Sequence, residues 1–304
     1  MLTMSAAETV GVLSIEQAAD VIEATYRHLG TGDVAVSTPS AMRISGPPHR
    51  IQVKGAVLKH RGIAGARLSS LGHPRLILWD LATGEPVFFV DESWLYAFRT
   101  GISGAVVARW LMPRPRPHIT LIGAGKIAAH MAAGFVALCN PASLRIAARN
   151  PESVERLIAG LTPGDTQIQA CANIEAAVEN ADVVATITTA SSPIVNPSWI
   201  KRGATVLSMG GVQEFEFETW NTAAHRFVDD LDYALYQGDL AAWVGSGAIT
   251  SDEVRAGIVS VSEVANSRWP GRRDLNESVY AVIQGLTALD ISLAHELYRR
   301  ANLL

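Results

Sequence analysis

The amino-acid sequence predicts an α/β protein in which a doubly wound, mostly parallel sheet accompanies a smaller α+β domain. The first observation is a strand, a glycine turn and a helix in residues 117–138, followed by a strand at residues 143–148. The second is the alternation of short helices and strands over residues 152–209, which is typical of parallel sheets. The third is a run of short β-like segments within residues 34–91, separated by turn sequences. Together these patterns predict a meandering sheet followed by a Rossmann-type sheet.

The smaller domain begins with a helix whose two ends are marked in the sequence. Ser14 and Gln17 form a capping-box pattern, and Gly30 follows the last apolar residue of helical spacing. Asp91 or Ser93 can cap the next helix, which the proline-rich segment after Met112 ends. Between the two helices, turn signals and β-branched runs favour a largely antiparallel sheet with strands at residues 40–44, 50–58, 63–69, 75–80 and 86–90.

The proline-rich segment is the predicted domain boundary. Residues 1–113 form the first domain and residues 114–276 form the nucleotide domain. A helix predicted at residues 277–300 leads residues 277–304 back to the first domain. The length of 304 residues and the 48% hydrophobic content are sufficient for two domains with full cores.

The glycine turn has the form of a dinucleotide-binding fingerprint, G-x-G-x-x-A. Gly123 permits the tight turn, Gly125 lets the backbone approach a pyrophosphate, and Ala128 lets the helix pack closely on the strand. The helix that begins at Lys126 and Ile127 presents free N–H groups and a positive dipole end to phosphates. Chance matches are common in a chain with 25 glycines, but here the next strand completes a βαβ unit. A nucleotide site is therefore favoured over a strand-turn-helix without a ligand.

The end of the second strand of that unit predicts which cofactor binds. An NAD site usually has an acid there for the ribose 2′-hydroxyl, whereas this chain has Ala147, Ala148, Arg149 and Asn150. The guanidinium of Arg149 can clamp a 2′-phosphate and stack on adenine. The alternative, that Arg149 is a solvated loop cation, leaves the missing acid unexplained. The sequence therefore predicts NADP(H) in preference to NAD(H).

Further cofactor contacts are predicted where later strands end. Thr188 follows the strand at residues 182–186, and Met209 and Gly210 end the strand at residues 205–209. Ligands of doubly wound sheets lie beyond the carboxyl ends of the strands, so these residues should border the cofactor. The alternative for Thr188 is an ordinary polar loop.

Composition excludes several other classes of protein. The net charge of −4 and the pI near 6.1 do not indicate the basic surface that binds nucleic acid or an anionic membrane. No apolar run reaches the roughly 18 residues that a membrane span needs, and the N-terminus does not resemble a signal peptide. Cys139 and Cys171 are too few for a disulfide framework, and no cysteine or histidine has metal-ligand spacing. A soluble cytoplasmic protein without a metal is expected.

Four cations are the candidate substrate-binding residues. Arg43, Lys54 and Arg67 lie on or beside the predicted strands, and Arg99 lies in the helix that leads to the nucleotide domain. Taken singly, each is more often a surface or structural cation than a ligand group. Arg67 is unusual because it follows I-A-G-A in a stretch that otherwise suggests burial, where an unpaired cation is costly.

Several segments together resemble the ornithine cyclodeaminase/mu-crystallin family of NAD(P)-dependent proteins. The most specific part is the D-x-x-T-G-x-P turn followed by R-T, because it precedes an unrelated nucleotide motif in the right order. The resemblance extends over nearly the whole chain. Its segments are P-S-A-M-R at 39–43, L-W-D-L-A-T-G-E-P at 78–86, F-R-T-G at 98–101, I-G-A-G-K at 122–126 and G-R-R at 271–273.

The resemblance implies a two-domain protein whose substrate domain forms a homodimer through its sheet. It also implies that residues at three positions hold an amino acid's carboxylate beside the nicotinamide. In the family these residues are an arginine at the position of Arg43, a lysine at the position of Arg67 and the arginine of the R-T motif, here Arg99. This chain keeps two of the three and has an arginine in place of the lysine, which retains the charge. A guanidinium suits this task because two parallel N–H donors match a carboxylate.

Two departures from the family pattern bear on the reaction. The cyclodeaminases carry an acid at the position of Lys54 for the substrate's distal amine, and a lysine there would repel that amine. They also place a catalytic aspartate just after the glycines of the fifth strand, where this chain has Val212. Ornithine cyclisation with loss of ammonia is therefore disfavoured.

The favoured hypothesis is an NADPH-dependent reductase of a C=N bond next to a carboxylate, or the reverse amino-acid dehydrogenase reaction. Imine and ketimine reductases are examples of this class. Lys54 is either its proton donor or a fourth contact to the anion. A dicarboxylic or opine-type substrate would account for the excess of cations. The alternatives are a non-catalytic, mu-crystallin-like protein that binds NADPH and a ligand, and a cyclodeaminase in which Asp229 or Asp230 replaces the missing acid.

Overall fold

The computed structural model of the chain describes residues 1–37, 40–43, 50–70 and 72–302, of which residues 40–43 and 50 are described by their backbone alone. The chain divides into two compact units, unit 1 with Met1–Thr100 and Gly285–Leu304, and unit 2 with Gly101–Gln284. The sequence placed these boundaries at 113/114 and 276/277. The first boundary falls inside a helix that runs unbroken from Ser93 to Leu111.

Unit 1 is a mixed sheet with helices. Its strands are Leu2–Met4 (β1), Val34–Val36 (β2), Ser40–Arg43 (β3), Arg50–Leu58 (β4), Ile63–Ser70 (β5), His73–Asp80 (β6) and Pro86–Asp91 (β7). Its helices are Ala6–Thr9 (α1), Ile15–Gly30 (α2), the first part of Ser93–Leu111 (α3) and Thr287–Ala301 (α12). The predicted strands of this domain are thus confirmed, except that residue 44, the predicted end of the first strand, lies outside the described residues. The capping box of Ser14 and Gln17 on α2 is confirmed as well.

The sheet of unit 1 has the strand order β1-β7-β6-β5-β4-β2, with β3 paired to β4. Strands β4 to β7 form an antiparallel meander, and β1 adds in parallel to β7. Helix α12 packs on β4, β5 and β6 and against α2. Gly65 permits this close approach, since a Cβ atom there would lie 2.7 Å from Ile291. The covered face is the core of the unit, with Leu58, Leu76 and Leu78 completely buried.

The opposite face of the same sheet is apolar but only partly buried. The register places Ala66, Ile77 and Phe89 in one row across the central strands, and Ala64 and Trp79 are neighbours in the next row. All five side chains are of intermediate exposure. Successive residues of a strand point to opposite sides of the sheet. These five side chains therefore point away from α12, which packs on the other face.

Unit 2 is an eight-stranded parallel sheet in the order β10-β9-β8-β11-β12-β15-β13-β14. Its strands are His118–Ile122 (β8), Ser143–Ala147 (β9), Gln167–Ala170 (β10), Val183–Thr186 (β11), Thr205–Ser208 (β12), His225–Val228 (β13), Val259–Ser260 (β14) and Val279–Val282 (β15). Its helices, besides the end of α3, are Lys126–Gly134 (α4), Pro151–Ala159 (α5), Ile174–Val178 (α6), Phe217–Asn221 (α7), Leu231–Ala234 (α8), Asp239–Gly245 (α9), Ser251–Gly257 (α10) and Val261–Ala265 (α11). This Rossmann-type parallel sheet confirms the predicted fold class.

The predicted helix at residues 277–300 is wrong in its first half. Val279–Val282 is a strand between β12 and β13, and the helix begins only at Thr287. The chain turns at Gly285, whose φ of +93° suits a residue without a Cβ atom. Strands β13 and β14 were not predicted either.

Within the described residues, no helix is both long and apolar enough to cross a membrane.

Candidate active site

Unit 1 brings three of the four predicted cations together in what we call the arginine cluster: Lys54, Arg67, Glu92, Tyr96, Arg99 and Asp290. Lys54 on β4 lies directly opposite Arg67 on β5, so that both side chains point to the helix-covered face. Lys54 is 7% exposed and Arg67 is 6% exposed. Arg43 lies on β3, and its side chain is outside the described part of the structure.

Arg67 is hydrogen-bonded to a buried glutamate. Its Nε donates to Glu92 Oε2 over 2.7 Å, and its guanidinium lies 4.2 Å from the centre of the Tyr96 ring. Burial alone would lower the pKa of Arg67, but the carboxylates of Glu92 and Asp290 outweigh burial and raise that pKa. The ion pair and the aromatic face together hold this guanidinium in one orientation.

Arg99 is neutralised by the buried carboxylate of Asp290. Its Nε and Nη2 donate to the two carboxylate oxygens of Asp290 over 2.5 and 2.8 Å. Tyr96 lies one helical turn before Arg99, and its ring centre is 5.1 Å from the Arg99 guanidinium. Burial acts to raise the pKa of Asp290, but Arg99 above all reverses this and the pKa is lowered. Asp290 is thus an ionised partner in a bidentate pair.

Nη1 of Arg99 is buried without a hydrogen-bond partner among the described residues. Glu92 and Asp290 share a side-chain hydrogen bond, which Glu92 donates when it is protonated. The pKa of Glu92 lies well above its usual value, first because the side chain is completely buried and next because Asp290 is negatively charged, while Arg67 acts in the opposite direction. One unused donor and one carboxyl that favours its protonated form therefore lie in the same cluster.

The sequence did not predict Glu92 or Asp290, and this changes the charge of the site. The expected excess of cations is reduced because Asp290 is an ionised partner of Arg99, whereas Glu92 favours its protonated form and accepts a hydrogen bond from Arg67. Asp290 had a usable signal, since it is the one acid within the apolar run T-A-L-D-I-S-L-A of α12. Glu92 had no such signal, because the neighbouring Asp91 is the expected helix cap. Asp91 does accept hydrogen bonds from Ser93 at the start of α3.

Unit 2 contains the glycine turn, which has the geometry that a dinucleotide requires. Gly123 has a φ of +127°, and a Cβ atom there would lie 2.4 Å from the carbonyl oxygen of Ile187. Gly125 is the N-cap of α4, and a Cβ atom on it would meet nothing within 4 Å. Lys126 and Ile127 begin the helix, with Lys126 exposed. The backbone at the start of α4 is therefore open to a pyrophosphate, and the residues present fit such a group.

Arg149 lies in the loop after β9, next to Asn150, which caps α5. Its side chain is exposed, and no hydrogen bond or ion pair holds its guanidinium within the described part of the chain. The carboxyl end of β9 thus carries an available cation and no acid. This is the electrostatic setting that a 2′-phosphate needs.

The loops after β11 and β12 are tied together by Glu214. Its Oε1 accepts from the backbone N–H of Thr188 over 2.8 Å and from the Thr188 hydroxyl over 2.7 Å. Its Oε2 accepts from the Thr186 hydroxyl over 2.5 Å and from the N–H of Gly210 over 2.7 Å. Gly210 must be a glycine here, because a Cβ atom would lie 2.2 Å from the Glu214 carboxyl carbon.

Three predicted cofactor residues are consequently engaged within the protein. The Thr188 hydroxyl donates to Glu214, so that towards a ligand it can act only as an acceptor. Met209 is buried, with its sulfur close to Gly104 of α3. The sequence gave no reason to choose Glu214, which stands in the repeat E-F-E-F-E at residues 214–218. Burial raises its pKa, against the hydrogen bonds from the threonines.

The family's catalytic aspartate has no counterpart at its own position in this chain. Val212, at the family's catalytic aspartate position, is 49% exposed and carries no ionisable group. In the described residues, no group of three or more His, Cys, Asp or Glu side chains has metal-binding geometry.

Similarity to known proteins extends over the whole fold. A Delta(1)-pyrroline-2-carboxylate reductase of Paracoccus denitrificans is 28% identical over 185 residues, which are 59% of this chain and 58% of that protein. The chain thus spans little more than half the length of this relative. The structure of Thermococcus litoralis Delta(1)-pyrroline-2-carboxylate reductase in complex with NADH and L-proline superposes with a TM-score of 0.89 at 21% identity, covering 99% of this chain and 97% of that one.

An archaeal alanine dehydrogenase, solved as a dimer with bound NAD, also has this fold. It superposes with a TM-score of 0.89 at 21% identity and covers 99% of this chain and 96% of its own. The ornithine cyclodeaminase/mu-crystallin family matches residues 3–303. That match includes the D-x-x-T-G-x-P turn, the R-T motif, the arginine cluster and the glycine turn. The chain therefore belongs to the ornithine cyclodeaminase/mu-crystallin family.

Proposed function

We propose that the protein is an NADPH-dependent reductase of a C=N bond adjacent to a carboxylate, or catalyses the reverse amino-acid dehydrogenase reaction. The observation that carries this proposal is the buried arginine cluster, in which Nη1 of Arg99 is a donor without a partner among the described residues. A buried, oriented and unsatisfied guanidinium N–H is a site for an anion. Relatives named pyrroline-carboxylate reductase and alanine dehydrogenase support a small imino or amino acid as the ligand.

The substrate carboxylate is assigned to Arg43, Lys54, Arg67 and Arg99. Glu92 and Asp290 hold the two buried guanidinium groups in place, so little conformational entropy remains to be lost when the carboxylate binds. Lys54 lies opposite Arg67 in the sheet and adds a positive charge to the same face. Its two candidate roles are a fourth contact to the anion and the proton donor of the reaction.

The cofactor is assigned to unit 2. Gly123 and Gly125 leave room for the pyrophosphate at the start of α4, where Lys126 and Ile127 provide backbone N–H groups. Arg149 is available for the 2′-phosphate, which is our reason to prefer NADP(H) to NAD(H). Further contacts are assigned to Thr188, Met209 and Gly210. When bound, the reduced cofactor supplies a hydride.

We further propose that the protein is a cytoplasmic homodimer, formed through the uncovered face of the unit 1 sheet. That face carries Ala64, Ala66, Ile77, Trp79 and Phe89, each only partly buried. A contiguous apolar patch of this kind is characteristic of an interface. The occupant that we assign to it is a second copy of the chain, as the dimer of the alanine dehydrogenase and the family resemblance suggest.

The test is a titration with NADPH and NADH, followed by measurement of nicotinamide absorbance with substrates added. Cyclic imino acids are offered first, and 2-oxo acids with amines separately. Oxidation of NADPH that is lost in Arg99→Ala supports the proposal, and Arg27→Ala, which removes an exposed cation of α2 paired to Glu23, is the control. Tight NADPH binding without oxidation by any substrate would favour a non-catalytic, mu-crystallin-like protein. Production of proline from ornithine would favour a cyclodeaminase.

A further inference from the structure

Glu214 in unit 2 is a buried acid to which the proposed function gives no role. It is 1% exposed, and each of its carboxyl oxygens accepts from one backbone N–H and one threonine hydroxyl. The donors are Thr188 at Oε1 and Gly210 with Thr186 at Oε2. A glutamine could not accept from all of them, because its NH₂ group would face a backbone N–H. The position therefore requires a carboxyl group, and a carboxylate satisfies every one of these donors.

The backbone of Glu214 is itself held in place by a second buried acid. Asp239 at the start of α9 accepts from the Glu214 N–H over 2.7 Å with its Oδ1. Its Oδ2 accepts from the hydroxyl groups of Ser208 on β12 and Tyr280 on β15, over 2.6 and 2.8 Å. Because the loop is anchored to two strands in this way, the Glu214 carboxyl cannot turn away from its donors. Its neighbours must adopt the hydrogen-bond direction that it dictates.

This fixed carboxyl determines what the hydroxyl of Thr188 can do. The hydroxyl donates its proton to Glu214 over 2.7 Å and accepts from the N–H of Ala190 over 3.1 Å. A hydroxyl has one proton and two lone pairs. Within the described part of unit 2, one lone pair of the Thr188 oxygen is left over, and the residue is partly exposed. Thr188 can therefore meet a ligand only as an acceptor.

The location of Thr188 indicates which part of the cofactor it meets. A Cβ atom on Gly123 would lie 2.4 Å from the carbonyl oxygen of Ile187, so the residue before Thr188 touches the glycine turn. The sheet is built outwards from β8, with β9 and β10 on one side and β11 and β12 on the other. A dinucleotide lies across such a switch point. Since Arg149 after β9 is assigned to the adenosine half, the nicotinamide half belongs over the ends of β11 and β12.

Resting on the cofactor site proposed above, we propose that Glu214 is a positioning residue that selects the cofactor by a donor group on its nicotinamide half. Held by Glu214, Thr188 accepts a hydrogen bond from the carboxamide NH₂ group or from a hydroxyl of the adjoining ribose. A nucleotide that offers only acceptors there would place lone pair against lone pair. Thr188 touches the cofactor, and Glu214 acts through it.

The test compares the binding of three nucleotides to the protein without substrate, by calorimetry at pH 8, since burial raises the pKa of Glu214. They are NADP⁺, its thionicotinamide analogue, which keeps the NH₂ group, and its acetylpyridine analogue, in which a methyl group replaces NH₂. We expect the wild type to bind the third about 10-fold more weakly than the other two, the usual effect of a lost hydrogen bond.

Four variants locate the origin of this preference. Thr188→Val removes the acceptor and should bind all three nucleotides with one weaker affinity, whereas Thr188→Ser keeps the hydroxyl and should keep the preference. Glu214→Gln frees the Thr188 proton and should lose the preference. Glu216→Gln, an exposed acid of the same E-F-E-F-E repeat, is its matched control and should behave as the wild type.

The outcomes separate this inference from the reductase function. A preference lost in Thr188→Val and Glu214→Gln supports the inference and assigns the donor to the carboxamide. Equal binding of all three by the wild type, with a weaker and equal affinity in both variants, also supports it and assigns the donor to the ribose. Wild-type affinities in either variant overturn it, and a wild type that still reduces imines then keeps its proposed function. If Glu214→Gln does not fold, equal affinities of Thr188→Val and Thr188→Ser overturn the inference. A wild type that binds no nicotinamide nucleotide overturns both.

Discussion

The pair of Arg99 and Asp290 leads to a quantitative prediction for stability. Asp290→Leu leaves the Arg99 guanidinium buried at 3% exposure without its two hydrogen bonds. At ~4 Å between charges and an effective dielectric constant of ~20, the lost attraction is about 4 kcal/mol. Breaking a buried pair by removing one partner typically costs about 3–5 kcal/mol. We therefore expect the free energy of unfolding to fall by about 4 kcal/mol.

The paired replacement is the sharper half of the same prediction. Arg99→Met combined with Asp290→Leu removes both charges and fills the volume with apolar groups, which is often neutral for a buried pair. The double variant should thus be more stable than Asp290→Leu by about 2 kcal/mol or more, but it should not bind a carboxylate. Urea unfolding of the apo protein, followed by tryptophan fluorescence, measures both effects, since Trp79 and Trp94 lie in unit 1. A single variant within about 1 kcal/mol of the wild type, or a double variant less stable than the single one, would refute the reasoning.

Three other predictions concern the cofactor and the interface. Arg149→Ala should weaken NADPH binding by about 10-fold or more, because one charge-assisted hydrogen bond is lost, while NADH binding should stay the same. Calorimetry measures both affinities, and Arg156→Ala, an exposed cation on α5, is the control. Gly123→Ala should abolish cofactor binding and lower stability, because of its φ of +127° and the 2.4 Å contact with Ile187; an intact NADPH Kd would contradict this account of the turn. Ile77→Asp should convert a dimer into a monomer in analytical ultracentrifugation, whereas Val10→Asp, an exposed residue off the sheet, should not.

The fold was predictable where local patterns carried independent signals. The glycine turn, the capping box of Ser14 and the alternating strands of unit 1 each combine a periodicity with a turn or cap residue. Strand β15 was missed because Val279, Val282, Ile283 and Leu286 also match helical spacing. Every residue of that strand is buried, and a strand buried on both faces does not show the alternation that marks a half-exposed one.

The candidate site was predictable in its cations but not in their partners. Lys54 and Arg67 stand in strands whose register follows from the hydrophobic pattern, and the R-T motif points to Arg99. The acids come from distant parts of the chain, with Glu92 25 residues after Arg67 and Asp290 191 residues after Arg99. No spacing rule relates residues that meet only through the tertiary packing of α12 on the sheet.

The partners alter what the cluster can recognise. Arginines without counter-charges would bind any anion in proportion to its charge, and a dicarboxylate would be favoured. With Asp290 present, the charge of Arg99 is already matched within unit 1, and Glu92 fixes the orientation of Arg67. What remains is directional, namely the N–H of Arg99 that has no partner among the described residues. Selectivity then follows from the placement of this donor, because a ligand without a complementary acceptor leaves a buried polar group unpaired.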